Sequence, residues 1–304
     1  MMEQGRKMTI LVIVNPVAGG GKTLRLLPSV KRWLSESSHD FLFTIPESPE
    51  EMRQEILDAP AAGMDAVLLC GGDGTVHDAL PAILSVNIPF GYLPGGRGND
   101  FSRNTGFTTD LRKSCLIPSH PSFHQLDLPT INQTPFIGTA YVGFDAEVNR
   151  LANDGKGYFD GKLGYSICVM RTLNNFKPFE VEMTIDGHCF RERVMLITVA
   201  NGPYYGGGMK IAPQAIMDDG VLNICMVKEI SKLELLRQFP KVFNGTHITH
   251  PKIIMASGKK IKITSDESRE IFSDGEYVGV LPAECTIGSQ SLRVLFPVEE
   301  KEKR

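Results

Sequence analysis

The sequence predicts a two-domain protein in which an α/β domain is followed by an antiparallel β domain. Up to about residue 127, continuous apolar runs such as "TILVIVN" alternate with segments of helical periodicity, which is typical of a parallel sheet buried on both faces. Beyond that point a period of two takes over, as in Val181, Met183 and Ile185, and this period indicates antiparallel strands. A chain of 304 residues is long enough for two such domains.

Four strands and four helices are predicted in the first half. The strands are "TILVIVN", "DFLFTI", "AVLLCGG" and "PFGYLPGG". The first helix follows "PVAGGGK", because Leu24, Leu27, Val30 and Leu34 recur at helical spacing. The others are "PEEMRQEILDAP", which begins near Ser48 or Pro49, "TVHDALPAILSV" and the short "NDFSRNTG". Strands that alternate with helices in this order pair in parallel.

The second half is predicted to consist mostly of antiparallel strands. Asp186-Gly187 marks a tight hairpin turn, and further strands are "VMLITVANG", "VLNICMV", "KKIKIT", "IFSDGEYVGV" and "CTIGSQSLRVLF". One helix, "KLELLRQFPKVFNG", carries Leu233, Leu236, Phe239 and Phe243 on one face. We place the first domain at 1–128 and the second at 129–289, with 290–304 returning to the first.

Composition excludes several classes of protein. The net charge is −3 and no block of Lys and Arg is dense enough to follow a phosphate backbone, so we expect no nucleic-acid partner. The six cysteines are scattered without a C-x-x-C pair, which indicates reduced core thiols rather than zinc ligands or a disulfide framework. No segment reaches the ~20 apolar residues of a membrane span, and we therefore expect a cytoplasmic protein.

Two familiar phosphate-binding motifs fail on their spacing. A P-loop that ends in Gly21-Lys22-Thr23 requires glycine at position 16, which is Pro16. The dinucleotide fingerprint G-x-G-x-x-G fails twice, because the third glycine is replaced by Leu24 after the first cluster and by His77 after the second. These mismatches disfavour P-loop NTPases and oxidoreductases.

The block Gly71-Gly72-Asp73-Gly74-Thr75 nevertheless suits phosphate chemistry. Glycines let the backbone approach a ligand without interference from Cβ. Thr75 is placed to cap the following helix, whose N-terminal N–H groups attract phosphate. Asp73 would repel a phosphate unless a Mg²⁺ ion lay between them. The alternative is a glycine-rich turn in which Asp73 only caps a helix.

Three glycine-rich segments end neighbouring strands of the predicted parallel sheet. They are "NPVAGG", "GGDGT" and "PGGRGND". Loops at the carboxyl ends of parallel strands converge on one crevice. We therefore expect them to form a single nucleotide site, with Lys22 and Arg103 as candidate phosphate neighbours or simply as solvated basic residues.

The chain resembles the diacylglycerol kinase catalytic-domain family, soluble bacterial lipid kinases related to sphingosine and ceramide kinases. The matching residues are Asn15-Pro16 with Gly19-Gly20, the Gly71–Thr75 block, "LPGGRGNDFSR", "YVGFDAEV", "APQAIMDDGVL" and "FSDGEYV". They run in order along essentially the whole chain. The first glycine-aspartate block is shared with NAD kinases, whereas the later Asp-Asp-Gly and Asp-Gly-Glu blocks discriminate for lipid kinases.

The resemblance implies an α/β domain like that of NAD and diacylglycerol kinases, a β-sandwich domain, and catalysis in a cleft between them, with ATP and Mg²⁺ as cofactors. By position, Glu276 matches the general base, and Asp274 a supporting neighbour. Asp73 and Asp127 match carboxylates that organise the catalytic Mg²⁺. Asp219, with the carbonyls of Ile216 and Val221, matches the ligands of a second, structural Mg²⁺.

The resemblance also implies a set of nucleotide contacts. These are Asn15, Gly19, Gly20, Thr44, Gly71, Gly72, Asp73, Gly74, Thr75, Val76, His77, Gly96, Arg97 and Asn99. One departure matters, because many members of the family have Gly-Thr where this chain has Gly96-Arg97. Arg97 is therefore a candidate to bind phosphate in place of the threonine.

The chemistry agrees with the role of Glu276. An alcohol holds its proton far above neutral pH, so a nearby carboxylate must accept that proton as the bond to phosphorus develops. Phosphoryl transfer otherwise depends on positioning and on neutralising phosphate charge. Without the family match, Glu276 is an exposed carboxylate on a hairpin.

The acceptor remains open at this stage. Diacylglycerol is the best-known substrate class, and the alternative acceptors are phosphatidylglycerol, undecaprenol or a sphingoid-type lipid. Two other functions are also considered, an NAD kinase and a non-catalytic nucleotide sensor.

A lipid substrate requires transient membrane contact, and the basic and aromatic segment 155–179 is a candidate for this contact. Alternatively, residues 163–175 form a helix buried against the sandwich. Exposed strand edges make a homodimer possible.

Overall fold

The computed structural model describes residues 6–119, 121–154 and 161–297. The first half contains β1 (Thr9–Val14), α1 (Ala18–Leu34), β2 (Asp40–Thr44), α2 (Pro49–Asp58), β3 (Ala66–Gly71), α3 (Asp73–Val86), β4 (Phe90–Pro94), α4 (Asp100–Asn104), α5 (Leu111–Ser114) and β5 (Pro121–Asp127). The second half contains β6 (Thr130–Ile131), β7 (Thr134–Pro135), β8 (Thr139–Gly143), α6 (Phe144–Asp154), α7 (Gly161–Asn175), β9 (Phe179–Ile185), β10 (His188–Ala200), β11 (Leu222–Lys228), α8 (Lys232–Val242), β12 (Ile253–Gly258), β13 (Lys260–Thr264), β14 (Glu270–Ser273), β15 (Glu276–Val280), β16 (Ala283–Thr286) and β17 (Ser291–Pro297).

The chain forms two compact units. The boundaries between them fall after Leu126 and after Gln290. The first unit contains a six-stranded sheet in the order β2-β1-β3-β4-β17-β5, in which β1 pairs in parallel with β2 and β3, and β4 with β3 and β17. The predicted parallel α/β architecture is confirmed, and the C-terminal strand β17 lies in this sheet.

The core of the first unit explains the continuous apolar runs. All six residues of β3 and all five of β4 are buried, because a central parallel strand is covered on both faces. In α1, Val30 and Leu34 are buried as expected, but Leu24 is 44% exposed. Gly19, Gly20 and Gly21 have positive φ, so they form a turn before the regular helix.

Helix boundaries follow the capping chemistry with one correction. Ser48 caps α2, its hydroxyl accepting the N–H of Glu51 at 3.1 Å, with Pro49 at the first helical position. The helix after β3 begins earlier than predicted, at Asp73 with Gly72 as N-cap. Thr75 is therefore not the cap residue, and it lies inside the first turn.

The second unit is an antiparallel β structure, as predicted. Its main strand order is β15-β14-β8-β10-β9-β13-β16-β6-β7, with β11 and β12 branching from β10. The β9–β10 hairpin turns at Asp186 and Gly187, which have φ of 47° and 91°, as the Asp-Gly pair predicts. Val181 and Met183 are buried, in agreement with the alternating pattern.

The helices of the second unit correct several expectations. Residues 163–175 lie within α7, and Cys168, Val169 and Leu173 are buried in the core. Phe176 and Phe179 are also buried, so neither belongs to a membrane-docking surface. Of the other residues proposed for that surface, Lys156, Tyr158 and Phe159 lie outside the described residues.

Helix α8 packs a different side against the core from the one predicted. Leu233 is 59% exposed and Phe243 47% exposed, whereas Leu235, Leu236, Phe239 and Val242 pack against the core. Helix α6 was missed by the sequence analysis, although Val148 and Ala152 have helical spacing and contact the core. Among the described residues, none of the helices is both long enough and apolar enough to cross a bilayer.

Candidate active site

The strand order of the first unit creates a crevice between β1 and β3. The chain leaves β1 for β2 on one side and later reaches β3 on the other. Ligands of open α/β sheets bind at the carboxyl ends of the strands where the order reverses in this way. The loops that begin at Asn15 and Gly72 leave from these two strand ends.

The three glycine-rich loops meet, as predicted. The Asn15 amide donates to the Thr75 hydroxyl at 2.9 Å, which joins the first loop to the second. The N–H groups of Gly95 and Gly96 both donate to the Gly71 carbonyl, at 2.7 and 3.0 Å, which joins the second to the third. Hydrogen bonds between loops therefore replace the sheet ladder beyond the strand ends.

Several glycines are required by contacts within and between these loops rather than by a ligand. A Cβ on Gly71 would lie 2.2 Å from the Thr75 hydroxyl oxygen, and one on Gly96 would lie 2.5 Å from the Gly72 Cα. A Cβ on Gly19 would lie 2.3 Å from the Gly95 carbonyl oxygen. These separations are far below a van der Waals contact. The close approach of the loops therefore requires glycine at positions 19 and 96, and the packing of Thr75 within its own loop requires glycine at position 71.

Polar side chains among the predicted nucleotide contacts also hold the loops. Thr75 is buried and its hydroxyl accepts the Gly72 N–H at 3.2 Å. The Asn99 side-chain oxygen accepts from the Tyr92 hydroxyl and the Gly96 N–H, both at 3.0 Å. The Thr44 hydroxyl donates to Glu55 at 2.8 Å. Each of these groups has a structural partner within the first unit.

Asp73 makes the helix-capping contact that was the alternative to metal binding. One of its carboxylate oxygens accepts the Phe101 N–H at 3.0 Å. Phe101 belongs to the first turn of α4, so Asp73 lies in α3 and caps a different helix. This contact holds Asp73 at the crevice. It does not test the predicted role of Asp73 as a Mg²⁺ ligand, which stays a prediction.

The crevice has an open side that suits a phosphate group. A Cβ on Gly74 would meet nothing within 4 Å, and one on Gly20 would meet only an Arg97 guanidinium nitrogen, at 4.0 Å. Gly74 lies in the first turn of α3, and the first backbone N–H groups of a helix have no acceptor in a preceding turn. Backbone donors, a guanidinium group and a carboxylate are the groups that bind a nucleotide phosphate with Mg²⁺.

Two predicted contacts of α3 differ in accessibility. The Val76 side chain is 1% exposed and its N–H donates to the Gly72 carbonyl, so this side chain cannot touch a ligand. His77 is partly exposed in the same helix. Val76 thus belongs to the core beneath the loop.

The two predicted metal regions of the second unit are joined by hydrogen bonds. Asp127 accepts the Gly220 N–H at 2.7 Å, and its own N–H donates to the Met217 carbonyl. Asp219 accepts the Val221 N–H at 3.0 Å. In the described part of the chain no cluster of three His, Cys, Asp or Glu side chains can hold a metal ion. Single carboxylates combined with carbonyl groups remain suitable oxygen donors for Mg²⁺.

Glu276 lies at the start of β15 and is exposed. It follows a two-residue turn, Asp274-Gly275, with φ of 49° and 97°. The Asp274 carboxylate accepts three backbone N–H groups, from Ile137, Gly138 and Thr139, at 2.6, 2.9 and 2.9 Å. Asp274 therefore anchors the hairpin, and the exposed carboxylate at this site is Glu276.

An apolar cavity of about 40 Å³ lies within the second unit. Its lining includes Phe144, Val169, Leu173, Leu236, Phe239 and Val242. The cavity wall also carries Asp145, which accepts a hydrogen bond from the Tyr205 hydroxyl at 2.5 Å. Burial raises the pKa of Asp145 to about 6, and the Tyr205 hydrogen bond opposes this shift.

Replacing Asp145 with asparagine is expected to stabilise the protein at pH 8 by about 2–3 kcal/mol and to have little effect at pH 4. Between about pH 4 and pH 6, the folded protein retains a proton on Asp145 that the unfolded chain has lost. Wild-type stability therefore falls as pH rises through this window, whereas asparagine does not ionise and still accepts from Tyr205. Denaturant unfolding at the two pH values measures the difference; equal effects at both would contradict it.

Two protein-family models match this chain and define the class of protein to which it belongs. The model for the diacylglycerol kinase catalytic domain matches residues 9–130, and the model for the YegS C-terminal NAD kinase beta sandwich-like domain matches residues 138–296. The chain thus combines the catalytic and sandwich domains of one class of kinases. The second match identifies the antiparallel unit as the predicted β-sandwich.

The chain belongs to the diacylglycerol kinase family. It is 30% identical to the diacylglycerol kinase of Mycobacterium tuberculosis (strain CDC 1551 / Oshkosh) over 297 residues, which cover 95% of each chain. It is 26% identical to that of Bacillus subtilis (strain 168), over 96% of this chain and 97% of the relative. Relatives over the whole length bear the same name, which supports a lipid kinase.

Solved structures confirm the fold. A crystal structure of a diacylglycerol kinase from Bacillus anthracis str. Sterne has a TM-score of 0.73 at 20% identity, over 97% of this chain and 99% of that chain. Another structure from the same organism has a TM-score of 0.78 at 24% identity, over 96% and 98% of the two chains. The two-domain fold predicted from the sequence is that of these proteins.

Two glycine substitutions are expected to separate loop packing from ligand binding. Gly74→Ala should preserve the melting temperature or raise stability by about 0.5–1 kcal/mol, because alanine favours a helix, and should weaken ATP binding by filling the open side. Gly96→Ala should lower stability, because its Cβ meets the backbone of Gly72. Thermal melts and calorimetric titration with ATP measure both effects. A Gly74→Ala protein that binds ATP as tightly as wild type would contradict this placement of the phosphate.

Proposed function

We propose that this protein is an ATP- and Mg²⁺-dependent lipid kinase that transfers the γ-phosphate to the hydroxyl group of diacylglycerol. The single observation that carries the proposal is the exposed Glu276 carboxylate on a hairpin anchored by three N–H bonds to Asp274. A general base needs a fixed position within reach of the proton that it accepts. The names of the full-length relatives support diacylglycerol as the acceptor.

In this proposal the residues of the first unit bind the nucleotide. The turn at Gly20 and the N-terminus of α3 at Gly74 receive phosphate oxygens, and Arg97 binds phosphate where other family members use threonine. The Arg97 guanidinium group near Gly20 supports this assignment. Bound Mg²⁺ would neutralise phosphate charge during transfer, with carboxylates supplied by Asp73 and by Asp127 of the second unit. Asp219, also of the second unit, would supply a carboxylate to a separate, structural Mg²⁺.

The residues of the second unit act on the acceptor. Glu276 accepts the proton of the lipid hydroxyl, and Asp274 holds the turn before it. The cavity lined by residues of α6, α7 and α8 is mostly apolar, which suits hydrocarbon rather than a dinucleotide such as NAD. Because this cavity has room only for a few water molecules, a lipid chain would enter it only after the lining residues move apart.

The test is a transfer assay with purified protein, γ-labelled ATP and Mg²⁺. Detergent micelles present diacylglycerol, phosphatidylglycerol, undecaprenol or a sphingoid base in separate reactions, and a further reaction contains NAD. We expect label in phosphatidic acid and none after addition of EDTA. Label in another lipid would correct the acceptor alone. Label in NADP, or in no product, would overturn the proposal.

A further inference from the structure

The position of Glu276 depends on what holds the turn between β14 and β15. In the described part of the chain, β15 pairs only with β14, at one end of the strand order. An edge strand has unpaired backbone groups on its outer side. The strand ladder therefore restrains Glu276 from one side, and contacts at the turn must supply the remaining restraint.

Helix α6 supplies a contact at the other side of the turn. The Asn149 side-chain amide donates to the Gly275 carbonyl at 2.8 Å, and the Asn153 amide donates to the same carbonyl at 3.3 Å. Residues four apart lie on one face of a helix. Two successive turns of α6 thus present donors to a single acceptor in the hairpin.

The acceptor is significant because of its place in the chain. The Gly275 carbonyl and the Glu276 N–H belong to one planar peptide unit. A hydrogen bond that fixes the carbonyl oxygen also fixes the orientation of this plane, from which the Glu276 backbone continues. Asp274 anchors the turn to the start of β8, and Asn149 orients the peptide bond that leads into Glu276.

Helix α6 is a firm support for this contact. Ala146 and Val148 on its inner face are 1% exposed. Asp145 accepts from Tyr205, and Glu147 forms an ion pair with Arg269 at 2.9 Å. The helix is therefore fixed by core packing and by polar contacts in the turn that precedes Asn149.

We propose that Asn149, assisted by Asn153, is a positioning residue for the Glu276 carboxylate. This inference rests on the proposed function, in which Glu276 accepts the proton of the lipid hydroxyl. Asn149 acts through the peptide plane and does not touch the substrate. Removing its amide leaves the carboxylate chemically intact and less well placed.

The expected effect is on kcat. A displacement of about 1 Å at a reacting group can cost about 100-fold in rate. Asn149→Ala leaves Asn153 as a weaker donor, so we expect kcat to fall about 10-fold, and about 100-fold in the Asn149→Ala/Asn153→Ala double variant. The KM for ATP should stay within about twofold, and Asn149→Gln should recover part of the loss because it retains the amide.

Two controls separate positioning from loss of stability. Asn132 also bonds to a turn of the same unit, at the opposite end of the strand order, through the Pro282 carbonyl and the Glu284 N–H. Asn132→Ala should lower the melting temperature and leave kcat unchanged. In a Glu276→Ala background, Asn149→Ala should cause no further loss, because groups that act through one another are not additive.

Hydrogen–deuterium exchange of residues 272–277 tests the geometry independently of activity. We expect faster exchange in Asn149→Ala than in wild type, and wild-type exchange in Asn132→Ala. A wild-type enzyme without lipid kinase activity would refute the proposed function, even with this exchange pattern. An active wild type would overturn the inference if Asn149→Ala kept its kcat, or lost activity equally in the Glu276→Ala background.

Discussion

Replacing Glu276 with glutamine is expected to lower kcat for phosphorylation of diacylglycerol by about 10²–10⁴-fold, the usual contribution of a general base. Glutamine has nearly the same shape and cannot accept the hydroxyl proton. The side chain is exposed, so the substitution should leave the melting temperature unchanged. The KM for ATP should also be unchanged, because the predicted nucleotide contacts lie in the first unit.

The matched control for this prediction is Glu284→Gln. Glu284 is also a strand carboxylate of the second unit, and its exposed ion pair with Lys260 spans 3.0 Å. Such pairs contribute little to stability. We expect activity within about twofold of wild type. A Glu276→Gln enzyme with wild-type kcat would show that another group accepts the proton, or that no base is needed.

Asp73→Asn and Asp73→Ala are expected to differ in stability and to agree in activity. The asparagine oxygen can still accept the Phe101 N–H that Asp73 accepts now. Alanine loses this cap at a cost of about 1 kcal/mol, which should lower the melting temperature by a few degrees. If the carboxylate organises Mg²⁺, both variants should lose about 100-fold or more in kcat, because metal stabilisation of the transferring phosphate is worth several kcal/mol.

The pair therefore decides between the two roles of Asp73. Rates are measured over a range of Mg²⁺ concentrations, and stability is measured by thermal melts. If Asp73→Asn retained wild-type activity while Asp73→Ala lost it, capping of α4 would be the whole role of this carboxylate. A weakened response to Mg²⁺ in both variants would support the metal role.

Much of the fold could be predicted because it follows from the local pattern of apolar and polar residues along the chain. A strand buried on both faces must be apolar throughout, as β3 is, and a strand with one buried face alternates, as Val181 and Met183 do. The glycine-rich loops could be placed together because parallel strands deliver their carboxyl ends to one edge. The motif order identified the family before any contact was known.

Local pattern was insufficient where one feature fits two environments. An aromatic residue in a basic segment suits a membrane surface or a core, and the core positions of Phe176 and Phe179 follow from contacts with distant residues: the Arg269 guanidinium lies over both rings. A glycine beside a phosphate loop suits ligand approach or loop packing. The contact of Gly71 with Thr75 and of Gly96 with Gly72 assigns these two glycines to packing.

The sequence was sufficient for the two-domain class, the family, and the positions of Asp73, Asp127 and Glu276 along the chain, because periodicity and motif spacing are local properties. Folding alone brought Asp73 to the N-terminus of α4, Asp127 to Gly220, and Asn149 to the turn before Glu276. Each of these contacts joins residues separated by 28 positions or more. Periodicity does not encode such contacts, because they form only when distant strands and helices pack together in the folded protein.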